Sequence, residues 1–173
     1  MSDWFYNPTK AGGGAMLDMG IHAIDLASYY MGRISSVSAS IGTLVKNIKV
    51  DDNAVLVLEF EGKRLGYIEA GWTSRPGFIG VEIYGTEGTI ISDYVRGMSV
   101  LRGRTMPDGT VKTSWRTIDK TPTTGGWDVE VDEFVKCIKK GVQPESDVEA
   151  GVAAVEVALA AYKSAETGKR INV

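Results

Sequence analysis

Between residues 37 and 118 the chain is cut into seven short runs of β-branched and aromatic residues, and that spacing limits the fold more than any other feature. The runs are 37–41, 54–60, 65–72, 79–84, 89–92, 99–102 and 111–118, each of strand length and bounded by turn chemistry. Glu61-Gly62-Lys63 suits a hairpin. In Pro107-Asp108-Gly109 the proline presets φ, while aspartate and glycine tolerate the return. Strands joined so tightly pair antiparallel, because parallel neighbours need a long crossover.

Helical patterns flank the strands. Gly12-Gly13-Gly14 breaks the chain before a helix over about 15–31, which Gly32 ends. Val131, Phe134, Val135 and Ile138 fall at i, i+3, i+4 and i+7, giving an apolar stripe that Gly141 stops. Ser146 and Glu149 have capping-box spacing. After them Val148, Val152, Val155, Leu159 and Tyr162 line one face as far as Gly168. The order predicts a single α+β domain over 1–173, an open, mainly antiparallel sheet with helices packed on one face. Strand 54–60 is apolar on both sides, with Val55 and Val57 opposite Ala54, Leu56, Leu58 and Phe60. A strand of that kind is covered twice, so the second sheet face is expected to meet another subunit or domain.

Composition narrows the function. At 173 residues, 43% hydrophobic and 24% charged, the chain reads as an ordinary globular domain. A net charge of -3 gives no electrostatic footprint for nucleic acid or an anionic membrane. The single cysteine cannot form an internal disulfide, which favours a reducing, cytoplasmic setting. No apolar run reaches the roughly 20 residues of a membrane span.

Chemistry concentrates on the first helix. Asp18, His22, Asp25 and Tyr29 lie within a narrow arc, on a helix otherwise fit for burial. A carboxylate one turn from the only histidine can orient that ring and raise its basicity, as a general acid/base near neutral pH requires. A solvated polar face, or a core histidine satisfied by a carboxylate, explains the same pattern. One histidine and two acids on one helix supply too few convergent ligands for zinc, so no metal is expected.

The stretch Trp4-Phe5-Tyr6-Asn7-Pro8, then Ala11-Gly12-Gly13-Gly14 leading into Asp18-Met19-Gly20-Ile21-His22-Ala23-Ile24-Asp25, resembles the C-terminal domain of the Gfo/Idh/MocA oxidoreductases, the glucose–fructose oxidoreductase and inositol dehydrogenase family. Tyr84-Gly85-Thr86-Glu87-Gly88-Thr89-Ile90 and the closing 161–170 segment match too. The resemblance implies NAD or NADP, held by an N-terminal Rossmann domain missing from this chain, and a sugar, inositol or related polyol as substrate. It further implies a homodimer or homotetramer built through the sheet. His22 would exchange a proton with the substrate hydroxyl, and Asp18 would position that histidine or a hydroxyl. Asp25, Trp72 and Trp127 are the expected substrate contacts, although core packing of Trp72 and a plain connection at 124–127 are the simpler readings.

The family's E-K-P lysine and a strand–G-x-G-x-x-G–helix unit are absent from the sequence. The glycine run is therefore read as a flexible entry that lets backbone approach a ligand or another domain. The expected function is the substrate-binding half of an NAD(P)-dependent dehydrogenase, inactive alone and forming part of a larger enzyme. A non-catalytic carbohydrate-binding or scaffold module on the same fold is the alternative. A cofactor-independent isomerase or lyase is weaker, because no second base is visible. Arg96, Arg102, Arg104, Lys112 and Arg116 suggest a phosphorylated ligand or, more simply, the guarding of an edge strand. Cys137, between lysines, reads as inert.

Overall fold

The chain's structure is a computed structural model that describes residues 3–74, 78–119 and 126–173. A 3-10 turn (Asp3–Tyr6) and the one-turn α1 (Pro8–Ala11) lead to a π-helical turn (Met16–Gly20), which runs directly into α2 (Ile21–Met31). Strands β1 (Ile34–Gly42), β2 (Asn53–Phe60) and β3 (Arg64–Gly71) follow. Next come β4 (Gly80–Gly85), β5 (Gly88–Asp93), β6 (Gly97–Thr105) and β7 (Val111–Asp119). Helices α3 (Trp127–Lys140) and α4 (Val148–Thr167) and the two-residue β8 (Ile171–Asn172) complete the α+β fold. There are two compact units, one of Met1–Ser74 with Glu145–Val173, the other of Arg75–Pro144.

The first unit is an open antiparallel sheet of order β3-β2-β1-β8. Along β2 the alternation predicted from sequence holds: Ala54, Leu56, Leu58 and Phe60 are buried, while Val55 and Val57 are exposed. The buried set joins Ile34, Val37 and Ile68 from the neighbouring strands, Met16 and Ile24 from the first helical segment, and Ala154, Val157, Ala158 and Ala161 from α4. The tight β2–β3 turn uses left-handed backbone at Gly62 and Lys63, as Glu61-Gly62-Lys63 suggests.

Helix α4 differs from its sequence reading. Val148, Val152, Val155 and Leu159 are exposed, and of that expected face only Tyr162 reaches the core. The sheet already supplies the bulky groups, so α4 presents its alanine side and approaches closely. Its buried Ser164 accepts the Ala39 N–H (3.0 Å) and donates to the Lys169 carbonyl (2.6 Å), linking the helix to β1 and its own exit. The N-cap is Asp147, whose side chain accepts the Ala150 N–H at 3.0 Å, and not Ser146 of the expected capping box. Only a residue with extended backbone at the junction can turn its side chain back on the first helical turn, and Asp147 has it (φ -98, ψ -177).

The second unit is a separate four-stranded antiparallel sheet of order β4-β5-β6-β7, with a bulge between Met98 and Ser99. The Thr86-Glu87 turn joins β4 to β5 as the motif there suggests. Backbone packing is close at Gly88, where a Cβ would lie 2.2 Å from the Leu101 carbonyl oxygen. In α3 the predicted stripe Val131, Phe134, Val135 and Ile138 is exposed, because none of the four strands packs extensively against it. Cys137 is its buried residue; the thiol donates to Glu133 at 2.9 Å, and that bond together with burial pushes it up, keeping it protonated.

Candidate functional site

The site begins where the glycine run meets the first helical turn. Gly14 and Met16 donate their N–H groups to the two oxygens of Asp51, at 2.8 and 2.7 Å. Tyr162 of α4 donates its hydroxyl to the same carboxylate at 2.8 Å, and burial followed by that bond pushes the phenol well above its usual range. A Cβ on Gly14 would lie 1.9 Å from the Asp51 carbonyl oxygen, and one on Gly13 would lie 2.2 Å from the Tyr162 hydroxyl. These glycines are therefore close-packing positions, which corrects their reading as a flexible entry. Asp51 also neutralises the orphan donors and positive end of the helix that carries the candidate residues.

Asp18 sits in the π turn and His22 at the second position of α2. A π turn is wider than an α turn, so Asp18 is displaced from regular register with His22. Gly20 makes room for this geometry, since a Cβ there would meet the Met16 sulfur at 2.6 Å. The sequence expectation paired the two side chains. In the structure Asp18 accepts instead from the Trp72 indole, Nε1 to Oδ2 at 2.8 Å. His22 is exposed and forms no hydrogen bond or ion pair among the described residues. Asp25 is half-buried farther along the same helix, and Tyr29 donates to Glu145 at 2.7 Å, so the stripe's far end is a tether.

Trp72 sits just past β3 and is half-buried. Its ring meets Phe5 and Tyr6 edge-on, with centroids 6.5 and 6.1 Å away, and its main-chain N–H donates to the Asp52 carbonyl at 2.9 Å. The N-terminal aromatics thus have a partner within the same unit. Trp127 opens α3 in the other unit and is exposed there. Of the 124–127 connection weighed from sequence, Thr124-Gly125 lies outside the described residues.

Sequence reasoning missed Asp51 and Asp52. Asp52 is fully buried at the end of the β1–β2 connection. Its carboxylate accepts from the N–H groups of Leu44 (2.7 Å), Val45 (2.9 Å) and Lys46 (2.6 Å), and from the Asn53 amide (2.8 Å). Burial pushes this acid up, but the four donors outweigh it and hold it well below the usual carboxylate range. An aspartate pair just before a strand was the available signal; its partners come from too far along the chain, or from bare backbone, to be read in advance.

Among the described residues no group of three or more His, Cys, Asp or Glu side chains could hold a metal ion. The N–H groups at the head of this helix, which a pyrophosphate would need, are already taken by Asp51. What remains is a carboxylate fixed by an indole, an exposed imidazole without a partner among the described residues, and the rings of Trp72, Phe5 and Tyr6: groups suited to hydroxyl-bearing ligands and to moving a proton.

An antiparallel α+β domain with an acid and an imidazole on its leading helix matches a known class. The family model described as the GFO/IDH/MocA C-terminal domain matches residues 1–91, and the chain belongs to that oxidoreductase family. Myo-inositol 2-dehydrogenase of Thermotoga maritima is 28% identical over 95% of this chain and 50% of its own length. The scyllo-inositol 2-dehydrogenase (NAD(+)) of Bacillus subtilis strain 168 is 30% identical over 95% of this chain and 49% of its own. Among solved structures, levoglucosan dehydrogenase in complex with NADH superposes with a TM-score of 0.82 at 25% identity, over 99% of this chain and 53% of that one. The chain thus spans about half the length of the relatives it matches.

Proposed function

We propose that this chain is the substrate-binding half of an NAD(P)-dependent dehydrogenase for a sugar, inositol or related polyol, and that it does not turn over substrate alone. The observation that carries this reading is an exposed His22, without a hydrogen bond or ion pair among the described residues, on the helical segment that also carries the Asp18 carboxylate fixed by Trp72. The relatives act on inositols, and a solved relative is a complex with NADH. His22 takes the proton of the substrate hydroxyl, and the Asp18 oxygen not engaged by Trp72 accepts a hydrogen bond from that or a neighbouring hydroxyl. Asp25, on the same helix, is a further substrate contact. The nicotinamide nucleotide is held outside the described residues, consistent with a helix N-terminus filled by Asp51. The open face of the first sheet is the surface on which a second copy docks.

Two measurements test the reading. NADH fluorescence titration of the 173-residue chain should show no binding, while myo-inositol should perturb the His22 ring resonances in NMR. Joined to a nucleotide-binding domain, the His22→Ala variant should lose about 10²- to 10⁴-fold in kcat, the usual contribution of a positioned acid/base. Unchanged turnover in His22→Ala and Asp18→Asn would instead favour a non-catalytic carbohydrate-binding module.

A further inference from the structure

We infer that Trp72 is a positioning residue for Asp18, and that the aromatic segment Trp4-Phe5-Tyr6 supports it. The inference rests on the functional reading of Asp18 and His22 given above. An indole nitrogen is a donor only, so Trp72 has a single hydrogen bond to give, and it gives it to the Asp18 carboxylate at 2.8 Å. A donor to an ionised acceptor makes one of the stronger protein hydrogen bonds. It occupies Oδ2 and leaves Oδ1 without a hydrogen bond among the described residues.

Trp72 is held at both ends. Its main-chain N–H is bound by the Asp52 carbonyl, and Asp52 is itself fixed by three backbone donors and Asn53. Its ring is gripped by Phe5 and Tyr6, and Trp4 leans on Phe5 with centroids 4.2 Å apart. Three aromatics near the start of the chain thereby find a role: they fix the ring that fixes the carboxylate. Asp18 is thereby held in one orientation on the helical segment that also carries the exposed His22. The role differs from a stacking wall, in which the face of the ring would matter and its N–H would not.

That difference supplies the test. In ¹⁵N-labelled chain, the Trp72 indole resonance is identified by its loss in Trp72→Phe. Asp18→Ala should move that resonance and speed its exchange with water about tenfold, the loss expected for a hydrogen bond to a charged group. The thermal unfolding of the variant should stay cooperative, which reports an intact fold in the unit that carries Trp72. An unmoved Trp72 indole overturns the inference.

The kinetic arm uses the enzyme joined to its nucleotide-binding domain, with Trp72 replaced by benzothienylalanine, which keeps the ring shape and puts sulfur in place of N–H. Here kcat should fall about tenfold with KM within about twofold. Unchanged kinetics would mean that only the face of the ring matters, which makes Trp72 a stacking wall and overturns the positioning role; a raised KM with unchanged kcat would place the N–H in substrate binding and overturn it as well. If His22→Ala also leaves kcat intact, the dehydrogenase reading itself fails, whatever the indole shows.

Discussion

Two glycines show how differently one residue type is used in this chain. At Gly14 a methyl group would strike the Asp51 carbonyl oxygen at 1.9 Å, a backbone atom that cannot swing away. Gly14→Ala should therefore cost about 3 kcal/mol, the upper end of ordinary overpacking, in urea denaturation. Gly151, in the first turn of α4, has nothing within 4 Å of its would-be Cβ, so Gly151→Ala should add about 0.5–1 kcal/mol. Glycine identity is legible in the sequence; the carbonyl from 37 residues away that makes one of them obligatory is not. Asp52 carries a pH signature of the same hidden kind. Its carboxyl lies below the usual range when folded, so the ionised form's contribution is complete above an unfolded value of about 3.9 and is lost as pH falls below it. The stability gap between the native chain and Asp52→Asn, measured by urea titration, should thus be constant from pH 7 to 5 and shrink towards pH 3. A gap that widened on acidification would contradict the role assigned to its four donors.

Among the elements, the strands were the most legible, because turns at 61–63 and 107–109 and the alternation in β2 fix both pairing and face. The helices were legible in extent but not in orientation. On α4 the larger side chains suggested the buried face, whereas the core takes Ala154, Ala158 and Ala161 because Leu56, Leu58 and Phe60 already fill the space from the sheet. Hydrophobicity alone cannot rank two apolar faces; the shape of the surface opposite decides. The cap is a sharper case, where two neighbouring residues compete for one role. Asp147→Ala should cost about 1 kcal/mol in thermal unfolding, and Ser146→Ala almost nothing. The hairpin of β6 and β7 shows register adding what composition lacks. Arg104 pairs directly with Lys112, Arg102 with Ser114 and Arg116 with Val100, so four exposed cations share one face, none in a salt bridge among the described residues. Like charges set opposite each other cost stability, as expected where an edge strand is kept from pairing with another chain.

For the whole molecule, the open face of the first sheet poses the largest energetic question. Val55, Val57, Leu65 and Tyr67 expose 47%, 51%, 71% and 70% of their surface, and register sets Val57 directly beside Tyr67. Cross-strand apolar neighbours of this kind form one patch, and patches of that sort mark an interaction surface. Their opposite numbers on the same strands are sealed beneath two helices, so one β2 strand is asked to be apolar on both sides for two different reasons. Local alternation within the fold explains Leu56 and Leu58; Val55 and Val57 have no such explanation among the described residues, and a partner on this face would supply one. If that partner is a second copy, the interface is symmetric and each copy contributes the same four residues. Val57→Glu then introduces a charge twice into one closed surface, where desolvation leaves it unpaired. Sedimentation equilibrium should show the native chain as a dimer or larger and the variant as a monomer, while thermal unfolding of the isolated monomer stays near its starting point because Val57 faces away from the core. A native chain that sediments as a monomer at all concentrations would remove the second copy as the occupant of this face, and with it the symmetric assembly.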